Sequence, residues 1–380
     1  MPTTTSPDPA KARRRLVDAL TSEGALTEGS PWHEAFAAVP REVFVPRFTL
    51  SGPDGRRAVE PGEAGYLDAV YTDTTLTIRH DDAGTPTSSS SQPSLMARML
   101  EAFTVPDNAR ILEIGTGTGY NTALLCHLLG AAQVTTIDVD PELTATARLR
   151  LADIGHHPAV VTGDGTQGHP AGAPYDGILA TCGVDRLPVA WPRQVRPGGI
   201  VVTNIGNGVA RLTVDRDGTA EGRFLPGDAM FMRARPEPDH TAPVAAQFTG
   251  LIMNETGTRR EMDLPVSADE IVHTLAHEIW MLHHDVLSMS FGTDPTDPAA
   301  VVHGLVHPST GSWARITPQA GDRVTVEHDG ARDLWGERLD LAVQWAAARR
   351  PEPGAYTLTV EPCGTHTLRR TGAHPASWTL

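Results

Sequence analysis

The middle of the chain alternates short apolar runs with longer segments in which apolar residues recur at helical spacing. Two segments, 120–130 and 141–155, predict helices, the first ending at Gly130 and the second beginning with Pro141. Five apolar runs predict short buried strands: 109–114, 133–138, 158–165, 176–181 and 198–206. Strands that alternate with helices at this spacing predict an α/β fold, in which helices cover both faces of a doubly wound parallel sheet.

Two further helical patterns precede this region. Residues 8–22 predict one helix, and residues 33–48 predict a second that a proline interrupts. Residues 51–87 are polar and rich in turn-forming residues, and the serine run 88–91 follows them. Composition alone favours a flexible linker at the serines. Their position favours a site instead, because residues 93–100 directly after them carry a helical apolar face that begins with a proline.

The pattern changes after about residue 235. A proline-rich polar connector comes first, at 233–243. The remaining pattern predicts β-rich segments at 246–263 and 311–330, helices at 267–287 and 336–350, and a strand at 355–362. This predicts two domains, residues 1–235 with the N-terminal helical segment, and an α+β accessory domain over residues 236–380. Four tryptophans are predicted to be core residues of the second domain: Trp280, Trp313, Trp335 and Trp345.

Charge and composition exclude several classes of protein. The 380 residues carry a formal net charge of −15, whereas nucleic acids and anionic membranes attract basic surfaces. We therefore expect no nucleic-acid partner and no membrane partner. The sequence also lacks an apolar run of about 18 residues and a signal-peptide core. Its three cysteines, Cys126, Cys182 and Cys363, are far apart, which is typical of free thiols in a reducing cytoplasm.

The strongest motif is the glycine-rich stretch "LEIGTGTGY" (112–120), between a predicted strand and a predicted helix. Its spacing differs from the dinucleotide motif Gly-x-Gly-x-x-Gly, because Tyr120 occupies the last position. A tight glycine turn lets a ligand lie against bare backbone. The carboxylate of Glu113 would suit a cationic or amine-bearing ligand. Asp138 ends the next strand, where an acidic residue binds a ribose diol in doubly wound folds, and Asp164 lies at the same sheet edge.

These features together resemble the class I S-adenosylmethionine-dependent methyltransferases, which have a Rossmann-like doubly wound sheet. The resemblance implies S-adenosyl-L-methionine as the cofactor and S-adenosyl-L-homocysteine as its product. It also implies that one set of residues binds the cofactor: Glu113, Gly115, Thr116, Gly117, Gly119, Tyr120, Asp138, Asp164 and Gly165.

The flanking motifs narrow the resemblance. Four of them occur in order with the glycine turn: "VPREVFVPRF" (39–48), "SQPSLMARMLE" (91–101), "GDGTQGHPAGAPYDGILAT" (163–181) and "VRPGGIVVTNIG" (195–206). Over roughly residues 8–235 the chain resembles the protein-L-isoaspartate O-methyltransferases. In that family a Thr-Ile-Ser-Gln-Pro segment borders the methyl-acceptor site, and the resemblance places the catalytic residues at Ser89, Ser90, Ser91 and Gln92. Ser90 departs from the family motif, because it replaces a bulky apolar residue with a small polar one.

The implied reaction needs little from the protein beyond positioning. A carboxylate has a pKa near 4 and is already ionised near neutral pH, so it requires no general base. The remaining requirement is the alignment of the carboxylate, the methyl group and the sulfur. The hydroxyls of Ser89 and Ser91 can orient the carboxylate through charge-assisted hydrogen bonds. The backbone amide of the next residue can then attack the methyl ester and close a succinimide.

The C-terminal extension and the departure at Ser90 indicate a specialised enzyme. With "TSSSSQPSLMARML" (87–100) and "DGARDLWGE" (329–337), the chain is similar to actinobacterial isoaspartyl-methyltransferase homologues that accompany ribosomally made peptides (RiPPs), in graspetide or lanthipeptide pathways. This resemblance implies methylation of an aspartate in a modified, macrocyclised precursor peptide, with collapse of the ester to an aspartimide. The accessory domain would recognise that precursor. Two alternatives remain: a repair enzyme for isoaspartyl residues, and a degenerate cofactor-binding module that only binds a partner peptide.

Two other features were weighed as chemical sites. His273 and His277 are four residues apart on a predicted helix and could share a metal, but the zinc motif His-Glu-x-x-His is absent because Met281 follows Glu278 at the third position. We therefore expect a packed or solvated helix face and no metal. Cys182 is interpreted as a small hydrophobic residue, because methyl transfer needs no covalent step. We expect a monomer or a small homo-oligomer.

Overall fold

A computed structural model describes residues 8–52, 55–82, 84–237, 245–273, 276–292, 301–319 and 322–380. The strands within these ranges form three sheets, of four, ten and five strands. In this part of the chain, none of the helices has the length and apolar character needed to cross a membrane.

The N-terminal residues form short helices and a small antiparallel sheet. In chain order the elements are α1 (Pro9–Ser22), α2 (Pro31–Ala38), α3 (Arg41–Phe44), β1 (Phe48–Gly52), β2 (Gly55–Val59), α4 (Tyr66–Val70), β3 (Leu76–His80), β4 (Pro86–Ser90) and α5 (Pro93–Ala102). The sheet has the order β2-β1-β3-β4. The predicted helices are present, including the interruption at Pro40. The sheet was not predicted, because strands such as β2 are mostly exposed and carry no apolar alternation.

The central region forms the predicted α/β core. Its elements are β5 (Ile111–Ile114), α6 (Tyr120–Leu129), β6 (Val134–Asp138), α7 (Pro141–Asp153), β7 (Ala159–Thr162), β8 (Tyr175–Val184), β9 (Val195–Ile205), β10 (Gly208–Val214) and β11 (Ala220–Phe224). Strands β5 to β9 pair in parallel, whereas β9, β10 and β11 pair antiparallel. All five predicted strands and both predicted helices of this region are confirmed. The parallel strands place their carboxyl ends, and the loops after them, at one edge of the sheet.

The C-terminal residues form a second sheet and extend the first. The elements are α8 (Thr249–Asn254), β12 (Thr258–Asp263), α9 (Ala268–His273), α10 (His277–Leu282), β13 (Leu287–Gly292), β14 (Val301–His307), β15 (Ser312–Pro318), β16 (Arg323–Asp329), α11 (Leu334–Ala347), β17 (Tyr356–Val360), β18 (His366–Arg370) and β19 (Ala376–Thr379). Strands β12 to β16 make an antiparallel sheet in the order β12-β16-β15-β14-β13. Its own core contains Leu305, Ile316 and the fully buried Trp335.

Strands β17 to β19 belong to the central sheet, whose full order is β19-β18-β17-β11-β10-β9-β8-β5-β6-β7. Strand β17 pairs with β11, and Tyr356 and Leu358 join the apolar core around Phe224. The predicted division at residue 235 therefore separates the five-stranded sheet from the residues before it. Strands β17 to β19, however, follow that sheet in the chain and belong to the central sheet. An accessory domain over all of residues 236–380 remains a prediction that this topology does not favour.

Two further expectations about the C-terminal residues need correction. The helix predicted over 267–287 is two short helices, α9 and α10, and residues 274–275 between them lie outside the described residues. The segment 246–263 begins with α8 and contains one strand, because Ile252 packs into a local apolar cluster at helical rather than alternating spacing. Residues 238–243 of the predicted connector also lie outside the described part.

Candidate active site

A cleft of about 950 Å³, including the space at its mouth, lies at the carboxyl edge of the parallel strands. Three parts of the chain enclose it: the glycine turn after β5, the serine strand β4, and a segment that we name the strap, residues 230–235. Six predicted cofactor residues line the cleft: Gly115, Thr116, Gly117, Tyr120, Asp138 and Gly165. Three of the four predicted catalytic residues also line it: Ser89, Ser90 and Ser91. The cleft volume lies in the range typical of small-molecule sites.

The glycine turn requires glycine for two separate reasons. Gly115, Gly117 and Gly119 have φ values of 95°, 50° and 89°, in the left-handed region. A Cβ at Gly115 would also lie 2.9 Å from Oγ1 of Thr181, and a Cβ at Gly119 would lie 3.2 Å from Cβ of Ala147. Gly119 does not line the cleft, since it begins helix α6 and packs against α7. Its predicted role in direct cofactor contact is therefore corrected to a role in helix packing.

Asp138 is placed to accept hydrogen bonds from a ligand. It ends β6 and lines the cleft, and burial raises the pKa of its carboxyl group. One carboxylate oxygen accepts from the backbone N–H of Gly117 at 2.8 Å, and the other accepts from Asp140 N–H at 3.1 Å. Each oxygen retains a further lone pair for a second donor. This arrangement fits the two hydroxyls of a ribose.

Glu113 lies behind the turn rather than in the cleft. Its carboxylate is fully buried and accepts hydrogen bonds from Asn121 Nδ2 at 2.7 Å, Thr136 Oγ1 at 2.7 Å and Thr122 Oγ1. Burial raises its pKa to about 7, although the three donors oppose the shift. The expectation that Glu113 faces a cationic ligand is corrected, because its lone pairs are already used to join β5, β6 and α6.

Asp164 also lies outside the cleft lining. Its carboxylate accepts from the backbone N–H of Thr166 at 2.9 Å and from the Thr166 hydroxyl, and thereby caps a short 3₁₀ helix. The next residue, Gly165, does line the cleft, and a Cβ there would lie 2.6 Å from Cγ2 of Ile114. Asp164 therefore shapes the turn that brings Gly165 to the cleft, and its direct contact with the cofactor stays a prediction.

Ser88, Ser89 and Ser90 lie in strand β4, which pairs with β3 and passes over the glycine turn, and Ser91 follows the strand. The carbonyl oxygen of Ser89 lies 3.6 Å from the position that a Cβ on Gly117 would occupy. Among the described residues, no group hydrogen bonds to the hydroxyls of Ser89 and Ser91. Gln92 is outside the lining, because its amide donates to Asp73 at 2.9 Å and to Ser94 at 3.0 Å. Gln92 thus fixes the start of α5 instead of lining the acceptor site.

A buried arginine that was not predicted supports the serine strand. The side chain of Arg41 is fully buried, and burial lowers its pKa to about 10, so it stays charged at neutral pH. Its guanidinium donates to five acceptors: the carbonyls of Val70, Thr72, Thr74 and Ser91, and the hydroxyl of Ser90. The contact with the Ser91 carbonyl is 3.1 Å long. The only signal in the sequence was the family-like stretch "VPREVF" around it.

The strap contributes five residues to the lining of the cleft, Phe231 to Arg235. Gly183 of β8 donates to the carbonyl of Met232 at 2.8 Å and accepts from Ala234 N–H at 2.8 Å. At the far end, the guanidinium of Arg235 donates to the carbonyl of Thr87 at 3.1 Å, which joins the strap to the serine strand. Arg233 and Arg235 both line the cleft. These residues were missed because they follow the last strand of the recognisable family pattern.

The sequence relationships agree with this geometry. Residues 60–224 match the model of the protein-L-isoaspartate (D-aspartate) O-methyltransferase family. The chain is 36% identical to a protein-L-isoaspartate O-methyltransferase of Ignicoccus hospitalis over 192 residues, which are 50% of this chain and 80% of that protein. It is 35% identical to one of Methanoregula boonei over 233 residues, 58% of this chain and 95% of that protein. The chain belongs to the protein-L-isoaspartate O-methyltransferase family.

A member of this family is a protein carboxyl O-methyltransferase that uses S-adenosyl-L-methionine, and the cleft fits that cofactor. Asp138 offers free lone pairs, and the glycines leave the space that side chains would otherwise fill. A solved structure described as a protein-L-isoaspartate O-methyltransferase superimposes over 96% of this chain and 99% of that chain, with a TM-score of 0.51 and 22% identity. The fold of the C-terminal residues therefore has a counterpart in that structure.

The two other features weighed as chemical sites have defined surroundings. Cys182 lines the cleft, and burial raises its pKa to about 12, so it remains a protonated thiol at neutral pH. His277 is buried with Nδ1 2.8 Å from Oδ1 of Asn207, and its pKa is lowered to about 3 by burial. A ring nitrogen of His273 lies within 4.8 Å of a carboxylate oxygen of Asp269 and a ring nitrogen of His303. His273 and His277 therefore have different polar neighbours.

Proposed function

We propose that this enzyme methylates the free α-carboxylate of isoaspartyl residues in polypeptides. The observation that carries the proposal is the meeting of the serine strand and the glycine turn in one cleft, with Ser89 stacked over Gly117. The relatives named above carry the same activity in their names. The proposal therefore rests on the family and on the arrangement of this chain's own residues.

The cleft supplies position and charge rather than a base. When bound, S-adenosyl-L-methionine supplies an electrophilic methyl group on a sulfonium. The acceptor carboxylate is already ionised at neutral pH, so the chain need not remove a proton from it. The hydroxyls of Ser89 and Ser91 are free to donate to that carboxylate. The positive charge of Arg41, which donates to the Ser90 hydroxyl and the Ser91 carbonyl, favours an anionic acceptor nearby.

The ester that forms can leave the enzyme and react further without it. The backbone nitrogen of the next residue attacks the ester carbonyl, the amide proton is lost, and methanol departs as the succinimide ring closes. Hydrolysis of the ring then gives an aspartyl or an isoaspartyl residue. A normal aspartate whose side-chain carboxylate is methylated gives the same ring, so the chemistry after transfer does not distinguish the two acceptors.

A second candidate acceptor is an aspartate in a macrocyclised, ribosomally made precursor peptide, with an aspartimide as the product. It is favoured by Ser90, where the family motif has a bulky apolar residue. Ser90 is buried, and its hydroxyl accepts from Arg41 at 3.4 Å, so the acceptor end of the cleft has a different surface from that expected of the family motif. Recognition of such a peptide by residues 236–380 is part of the same candidate.

Paired substrates separate the two candidates. The enzyme is incubated with radiolabelled S-adenosyl-L-methionine and with peptides of one sequence that contain either isoaspartate or aspartate, and with a macrocyclised aspartyl peptide. We expect methyl transfer and methanol release with the isoaspartyl peptide only. Faster transfer to the macrocycle would support the second candidate, and no transfer to any peptide would reject both. Asp138→Ala, for which weaker cofactor binding is expected, serves as the control with reduced activity.

The cellular setting is part of the proposal. The three cysteines form no disulfide in the structure, which suits a reducing compartment, and we propose the cytoplasm. Size-exclusion chromatography coupled to light scattering would establish whether the enzyme is a monomer or a small homo-oligomer.

A further inference from the structure

A second cavity lies on the outer side of the strap. It has a volume of about 600 Å³, including open space, and the strap residues Met230, Phe231 and Arg233 line it together with Trp280 of α10. Phe231 and Arg233 line the active-site cleft as well. The strap therefore borders both the second cavity and the active-site cleft.

The C-terminal part of the chain builds one wall of this cavity. Gly206, in the turn after β9, has a φ of 61°, and a Cβ there would lie 3.3 Å from Cβ of Trp280. Glycine at this position thus allows α10 to approach the turn closely. Arg186 donates to the carbonyl of Met281 at 2.9 Å, and Arg233 donates to that of His284 at 3.1 Å. These contacts fix α10 beside the strap before any ligand binds.

The strap is also where apolar surface is exposed. Four large apolar side chains are exposed in the described residues: Leu149, Met230, Met232 and Met253. Two of these lie on the strap, with Met230 58% exposed and Met232 36% exposed. Methionine adapts its shape to varied partners, and exposed apolar side chains that cluster beside a site mark binding surfaces. Trp280 was predicted to be a core residue, but it is only partly buried and faces this cavity.

We propose that the cavity lined by Met230, Phe231 and Trp280 binds an apolar side chain of the substrate polypeptide, within a few residues of the methylated one. The occupant is the substrate itself, because the strap that lines this cavity also lines the active-site cleft. Residues of an extended peptide are about 3.5 Å apart, so a short segment can cross the strap. This inference rests on the proposed peptide methylation and assigns the C-terminal residues a part in substrate selection.

A peptide series tests the inference. Each peptide contains one isoaspartate in a glycine- and serine-rich background, with a single leucine moved through the neighbouring positions. Burying one leucine side chain is expected to raise kcat/KM about tenfold at the favoured position. We expect Trp280→Ala and Met230→Ser to reduce this leucine preference below about threefold. The leucine preference is a ratio of two kcat/KM values measured with the same variant. A general loss of activity therefore does not change it.

Met253→Ser is the matched control, because Met253 is an exposed methionine of the C-terminal residues that lines neither cavity. We expect Met253→Ser to keep the full leucine preference. Because Met230 is largely exposed, Met230→Ser remains informative if Trp280→Ala does not fold. No leucine preference at any position, or an unchanged preference in both variants, would overturn the inference.

Calorimetric binding of the same peptides, in the presence of S-adenosyl-L-homocysteine, tests the cavity without methyl transfer. A leucine preference in affinity that Trp280→Ala removes supports the inference, whereas equal affinities contradict it. Absence of methyl transfer from all isoaspartyl peptides would instead reject the proposed function, so the two failures are distinguishable.

Discussion

Replacing Arg41 with methionine tests whether a buried arginine holds the serine strand over the glycine turn. Methionine fills part of the same space but donates no hydrogen bond, so four backbone carbonyls and one hydroxyl lose a partner. Two of the five contacts, to Val70 and Ser90, are fully buried. An unsatisfied buried acceptor costs about 1–3 kcal/mol, so these two alone would cost about 2–6 kcal/mol.

Removing the guanidinium also recovers some free energy, because burial of its charge is unfavourable, as the lowering of its pKa to about 10 indicates. We therefore expect the free energy of unfolding to fall by about 3 kcal/mol. Because Arg41 supports Ser90 and Ser91 directly, KM for an isoaspartyl peptide should rise more than the Kd for S-adenosyl-L-homocysteine. Urea denaturation, steady-state methyl transfer and calorimetry measure these three quantities.

Arg47→Met is the matched control. The side chain of Arg47 is 71% exposed, and its ion pair with Glu60 is 3.1 Å long, so its loss should change stability by less than about 0.5 kcal/mol. If Arg41→Met matched Arg47→Met in both stability and peptide KM, Arg41 would not support the acceptor site.

Three further substitutions test the site. Asp138→Ala should weaken S-adenosyl-L-homocysteine binding about 10- to 100-fold in calorimetry, and unchanged affinity would contradict the role given to this carboxylate. Ser91→Ala should lower kcat/KM about tenfold and leave that affinity unaltered, whereas undiminished transfer would remove Ser91 from the acceptor site. Glu113 has a pKa raised to about 7 by burial, so its folded state loses stability as pH rises from its unfolded value of 4.5 towards 7. Relative to Glu113→Gln, the free energy of unfolding of the native protein should thus fall by roughly 3 kcal/mol between pH 4 and pH 8 in denaturation experiments. If the free energies of unfolding of the two proteins changed in parallel with pH, the raised pKa of Glu113 would be refuted.

The α/β core could be predicted from the sequence because central strands such as β5 and β8 are largely buried. Three of the four residues 111–114 are apolar, and the glycine turn that follows has a distinctive spacing. Asp138 was placed correctly for the same reason, since it ends a strand whose position in the sheet follows from the alternation of strands and helices.

The parts that could not be predicted depend on contacts between distant residues. In the sequence, Arg41 resembles an ordinary surface charge, because its contacts with Val70 and Ser91 form only in the folded chain. Strand β2 is too exposed to show an apolar alternation, and β17 reads as a strand without revealing that its partner is β11, far earlier in the chain. Glu113 was predicted in direct contact with a ligand because sequence position alone does not show that three neighbouring side chains already occupy its oxygens.

The most direct test of the central claim locates the transferred methyl group. The enzyme is allowed to act briefly on an isoaspartyl peptide that also contains aspartate and glutamate, and the reaction is quenched in acid so that the ester survives. Tandem mass spectrometry then identifies the methylated residue. We expect a single methyl ester on the α-carboxylate of the isoaspartyl residue. A methyl group on the aspartate or glutamate side chain, with the isoaspartyl residue unmodified, would contradict it.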